Sequence, residues 1–119
     1  MLEIIEGYLE AWNETDAGAR LALVSSLWAA DGSYTDPLAD VRGPDAIAGL
    51  IGAAQQQFPG LVFTLGGPVD ANHNQARFTW HLGPDGGEPI VIGFDVMVLD
   101  SAGQIASVHG FLDKVPAAA

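Results

Sequence analysis

At Pro59-Gly60 the spacing of apolar residues changes, and that change limits the fold more than any other feature of the chain. Before it, apolar side chains recur every three or four residues; after it, they alternate. The first spacing lines one face of a helix, whereas alternation lines one face of a strand. Helices first and consecutive hairpins second make an α+β protein, with three N-terminal helices packed on one face of an antiparallel sheet.

Leu2, Ile5, Leu9 and Trp12 form the stripe of a first helix running to about Asn13, and Tyr8 borders that stripe. After cap signals from Asn13 to Asp16, Leu21, Val24, Leu27 and Trp28 repeat the pattern in a second helix stopped by Asp31-Gly32. Residues 33–36 read as a short strand ended by Pro37, which lacks a ladder N–H and keeps the residue before it extended. Gly43 and Pro44 open a third helix that presents Ile47, Leu50, Ile51 and Phe58 and closes at Pro59-Gly60. Strands follow at 61–65, 69–71, 76–82, 90–99 and 104–112, joined by turns rich in glycine and proline, and 116–119 reads as a frayed tail.

A length of 119 residues suits one domain spanning residues 1–119, and 49% apolar against 16% charged residues excludes intrinsic disorder. Four cationic side chains against fifteen carboxylates give a net charge of −11, which repels phosphate backbones and anionic membranes. No nucleic acid and no membrane partner is expected, and too few cations remain to clamp a nucleotide. A neutral apolar small molecule fits better. The absence of cysteine removes disulfides, thiolate nucleophiles and zinc-thiolate sites. Glu3, Glu6 and Glu10 occupy the place where a signal peptide carries basic residues, and no apolar run approaches the ~20 residues that span a bilayer. A cytoplasmic protein is therefore expected, in which the Asn13-Glu14-Thr15 sequon is fortuitous.

Strand parity adds detail. Phe78, Trp80 and Leu82 share one side of their strand and should face the helices, with Arg77, Thr79 and His81 opposite. In the last strand Ala106, Val108, Gly110 and Leu112 are the more apolar set. Strand 90–99 is apolar on both sides, with Ile92, Phe94, Val96 and Val98 on one and Met97 and Leu99 on the other. An uncovered apolar face predicts a homodimer formed through the sheet. His73 falls in a turn, and His81 and His109 fall away from any pocket. No His or carboxylate cluster has ligand spacing, so neither a metal nor a cofactor is expected.

Between Gly93 and Met97, on the less aliphatic side, stands Asp95. A carboxyl in an apolar strand must be paired, reach a cavity, or keep its proton. Tyr8 within YLEAWN, Asp36 within YTDPLADVRG and Asp95 within GFDVMVLDSAGQI resemble the pattern of the SnoaL-like and nuclear transport factor 2-like superfamily. Their polar positions resemble most the steroid Δ5-3-ketoisomerases, and the likeness runs from about Ile4 to Leu112.

That resemblance implies a cystatin-like roll, a curved sheet under three helices enclosing an apolar pocket. It also implies that Asp36 is a general base and that Tyr8 and a protonated Asp95 are two donors to a substrate oxyanion. The pocket wall would comprise Trp12, Leu50, Phe78, Trp80, Leu82, Met97, Val108 and Leu112. A SnoaL-type cyclase needs the same Asp, so isomerisation and aldol-type cyclisation of a neutral carbonyl compound are both compatible. A non-catalytic ligand-binding or assembly module, in which these residues merely satisfy one another, is the alternative. The Asp-Arg-Asp constellation of limonene epoxide hydrolase-like members is not matched, because Arg77 belongs to the opposite face.

Overall fold

The computed structural model describes residues 1–116. Of the tail expected at 116–119, residues 117–119 lie outside them. The elements are α1 (Leu2–Asn13), α2 (Ala17–Leu27), β1 (Trp28–Asp36), β2 (Ala39–Arg42), α3 (Pro44–Gln57), β3 (Val62–Leu65), β4 (Asp70–Asn72), β5 (Gln75–Gly83), β6 (Val91–Leu99) and β7 (Ile105–Lys114). Local chemistry sets the helix starts. The Asp16 carboxylate accepts from the Ala19 N–H at 2.9 Å at the head of α2. Gly43 adopts a left-handed φ of 89° directly before Pro44 in the first turn of α3.

The strands form one sheet in the order β2-β1-β7-β6-β5-β3, with β4 also paired to β5. β3 and β4 follow one another along β5, interrupted by Gly66-Gly67-Pro68. The expected antiparallel sheet is in fact mixed: β1 runs parallel to β7, while every other pair is antiparallel. Register shifts in β1, β6 and β7 mark bulges, which bend a sheet and raise its twist.

Two boundaries differ from expectation, and both trace to β1. The second helix ends at Leu27, and Trp28 begins a strand because it pairs with Ile105. Between Trp28 and Ser33 the register slips, and the Trp28 indole N–H donates to the Ser33 carbonyl at 3.2 Å across the bulge. Gly32 is glycine for that reason, since a Cβ there would lie 2.8 Å from the Ile105 oxygen. Asp31-Gly32 thus marks a bulge, not a helix stop. β2 was not foreseen; Pro37-Leu38 is a two-residue turn that folds Ala39 back onto Asp36. In β7 the slip opposite Val98 and Leu99 brings Ile105 and Val108 both into the core and leaves Ala106 only half-buried.

The core lies between the three helices and the inner sheet face. Ile5, Tyr8, Trp12, Trp28, Phe78 and Met97 are among its buried members. Aromatic rings run through it, with centroids 5.6 Å apart for Tyr8–Trp28, 5.8 Å for Tyr8–Phe78 and 5.2 Å for Trp12–Phe63. Asn13 ties the end of α1 to β3 by donating to the Phe63 carbonyl at 2.8 Å and accepting from the Phe63 N–H at 2.7 Å. Among the described residues, no helix is long and apolar enough to cross a membrane.

Candidate functional site

Tyr8 and Trp12 stand one turn apart on α1, so both side chains reach down to the same part of the sheet. Beside them a cavity of about 310 Å³ opens between α1, α3 and the strand ends. Of the side chains expected to wall it, Trp12, Leu50, Trp80, Leu82 and Leu112 do line it, together with Tyr8 and Asp36. Phe78, Met97 and Val108 do not; they are fully buried in the core. The reason is position along the sheet. Leu82, Val91 and Leu112 lie toward the end of the strands where the cavity is, whereas the Tyr8 ring packs on Phe78 further along.

Two tyrosine–aspartate pairs organise the polar groups. The Tyr8 hydroxyl donates to Asp95 Oδ2 at 2.7 Å, and the Tyr34 hydroxyl donates to Asp36 Oδ2 at 2.7 Å. Asp36 Oδ1 accepts the backbone N–H groups of Leu38 at 2.8 Å and Ala39 at 2.9 Å, which clamp the carboxylate at the β1–β2 turn. Gly110 leaves a notch between the two carboxyls. A Cβ on it would stand 2.9 Å from Asp95 Oδ1 and 3.2 Å from the Asp36 Cβ. Asp95 Oδ1 and Trp12 Nε1 are buried side-chain atoms without a hydrogen-bond partner among the described residues.

Burial dominates the electrostatics of the pairs. It pushes the Asp95 carboxyl up to about 6, a rise to which nearby Asp36 adds and which the Tyr8 hydroxyl and Trp80 indole N–H oppose. Burial, then the adjacent Asp95, raises the Tyr8 hydroxyl well above its ordinary value. Tyr34 is raised by burial, by Asp95 and by Asp36. Both phenols therefore remain protonated donors.

The resemblance implies Tyr8 and Asp95 as two donors to one oxyanion; in the structure the Tyr8 hydroxyl is bonded to Asp95 itself. Asp95 is 1% exposed and stands behind Tyr8, off the cavity wall, with the Tyr8 proton directed at it. Burial, which pushes its carboxyl up to about 6, favours the neutral form of Asp95 over that of an exposed aspartate. Sequence reasoning also passed over Tyr34, which lines the cavity and holds Asp36. The signal was available, because Tyr34 and Asp36 are two apart on a strand and so share a face. Arg77 lies on the outer face as expected, paired with Asp70 at 2.9 Å.

The sequence profile of the SnoaL-like domain matches residues 5–108. The chain belongs to the SnoaL-like family. No curated protein matches this SnoaL-like chain, but solved structures do. A proposed isomerase of the SnoaL-like family from Agrobacterium tumefaciens is 44% identical, with a TM-score of 0.89 over 94% of this chain and 96% of that one. A proposed polyketide cyclase from Sinorhizobium meliloti is 19% identical, with a TM-score of 0.71 over 91% and 93%. A protein of unknown function with a cystatin-like fold from Methylobium petroleophilum is 20% identical, with a TM-score of 0.73 over 97% and 76%. The last two share the fold, and the SnoaL-like domain here is a cystatin-like roll of three helices on an open mixed sheet.

Proposed function

We propose that this SnoaL-like protein moves a proton at the carbon beside a carbonyl group of a small, neutral, apolar compound, with Asp36 as the base. The observation that carries this reading is that Asp36 and Tyr8 both line a cavity whose other lining side chains are mostly apolar. At about 310 Å³ the cavity lies at the lower end of the ~300–1,000 Å³ range of small-molecule sites.

An oxygen of Asp36 takes the α-proton, the C–H electron pair moves into the C–C bond, and the carbonyl oxygen becomes an enolate. Tyr34 and the two turn N–H groups keep the base in place. The enolate needs a donor, and Tyr8 is the phenol on the cavity wall that is not bonded to Asp36. When Asp95 is neutral its O–H turns toward the Tyr8 oxygen, which frees the Tyr8 proton for the substrate. Asp95 then acts through Tyr8 as a positioning residue.

Returning the proton to a different carbon completes an isomerisation; attack of the enolate carbon on a second carbonyl completes a cyclisation. The name given to the 44% identical Agrobacterium protein supports the first. A non-catalytic binding module is favoured by one feature, the engagement of both Asp36 oxygens by three donors.

Deuterium wash-in followed by NMR on acetophenones and β-keto esters separates the two readings. Exchange should exceed the buffer rate and fall by about 10²-fold or more in Asp36→Asn, the scale of a lost general base. Tyr8→Phe should also slow it by about 10²-fold, the scale of a lost oxyanion donor. No exchange above buffer, or exchange that survives Asp36→Asn, overturns the catalytic reading.

A further inference from the structure

The turn that clamps the base also holds a large apolar side chain in solvent. Leu38 is 77% exposed, more than any other large apolar residue among those described, yet it lines the cavity. Val115, 57% exposed, lines it as well. On a chain carrying a net charge of −11, exposed aliphatic groups gathered at the mouth of an apolar cavity mark a surface that a ligand covers. Leu38 has no freedom to turn its backbone away, because its N–H is bonded to Asp36 Oδ1 and Pro37 precedes it. At about 310 Å³ the cavity is at the small end of ligand sites, so a long ligand extends past its mouth.

We infer that Leu38 contacts substrate and selects elongated ligands: the carbonyl end fills the cavity, and an apolar tail leaves through the mouth across Leu38 and Val115. This rests on the reading of the cavity as a carbonyl site but not on catalysis by Asp36. Leu38 is a specificity residue for tail length, and its placement two residues from the base means that a tail lying across it fixes the α-carbon relative to Asp36. An amphiphilic molecule of alkyl-aryl ketone type has the required shape, with one polar end and a flexible apolar extension.

The test uses acetophenone and its 4-ethyl, 4-butyl and 4-hexyl derivatives, with binding read from the fluorescence of Trp12 and Trp80, which line the cavity. Affinity should rise along the series by up to about fourfold per methylene that becomes covered. In Leu38→Ala the rise should flatten over the butyl and hexyl members, with a loss of about 5- to 10-fold for the hexyl ketone. Leu38→Met should restore the slope. Leu65→Ala, an exposed leucine away from the mouth, should keep it. The inference is overturned if the hexyl ketone binds no tighter than acetophenone, or if Leu38→Ala leaves the slope unaltered. Repeating the series in Asp36→Asn separates the two ideas, since tail-length selection should persist there even when proton exchange is lost.

Discussion

Asp95 concentrates the energetics of single residues. Its carboxyl titrates at about 6 when buried and at 3.8 when exposed, so between those values the folded protein holds a proton that the unfolded chain has released. Stability must then fall as pH rises through that window, by about 3 kcal/mol in all at 1.36 kcal/mol per unit, and stay lower above it. Asp95→Asn removes the ionisation. Urea denaturation should find the variant more stable than the parent at pH 8, with the advantage shrinking toward pH 4; an equal advantage at both refutes the assignment. Catalysis should carry the same signature. If neutral Asp95 frees Tyr8, kcat/KM for proton exchange should decline above about pH 6, and Asp95→Asn, whose amide still donates, should lack that decline. Asn13 offers a simpler case. Its amide satisfies both backbone groups of Phe63, and Asn13→Ala should lower stability by about 1–3 kcal/mol in chemical denaturation.

Elements explain what each residue can see. Trp80 on β5 lies over Gly93 on β6, where a Cβ would come within 2.0 Å of its ring. Gly93→Ala should therefore push Trp80 into the cavity, destabilise the fold by about 1–3 kcal/mol in thermal melts and weaken ketone binding together. The order of helices and hairpins was legible because hydrophobic period differs between them, and the inward parity of Phe78, Trp80 and Leu82 followed from alternation. The start of β1 was not, because a bulge at residues 29–32 breaks the alternation that would have marked a strand. Val41 is an isolated apolar residue in β2, too little to signal four paired residues. Tyr8, Asp36 and Asp95 were legible as candidates by residue type and resemblance. Which of them reach the cavity was not, since that depends on where α1 crosses the sheet and on which end stays unfilled.

At the scale of the whole molecule, assembly turns on the outer sheet face. Ile92, Phe94, Val96 and Val98 are only half-buried there, and Phe111, which pairs with Phe94, is 57% exposed. We propose that two copies of the chain cover this face, and equilibrium sedimentation should report a dimer that Val96→Asp converts to monomer. Added salt should tighten the association by screening the −11 charges on each copy. A monomeric parent chain would refute the pairing. One topological fact reaches further. β7 is synthesised after every element it joins, yet it is the strand through which β1 and β2 connect to β6, and it carries the Gly110 notch between the two carboxyls. A nascent chain emerging from the ribosome thus holds two unfinished halves, with the β1–β2 hairpin waiting on some sixty later residues, and it gains a sheet, a binding hollow and a reactive centre in one late closure.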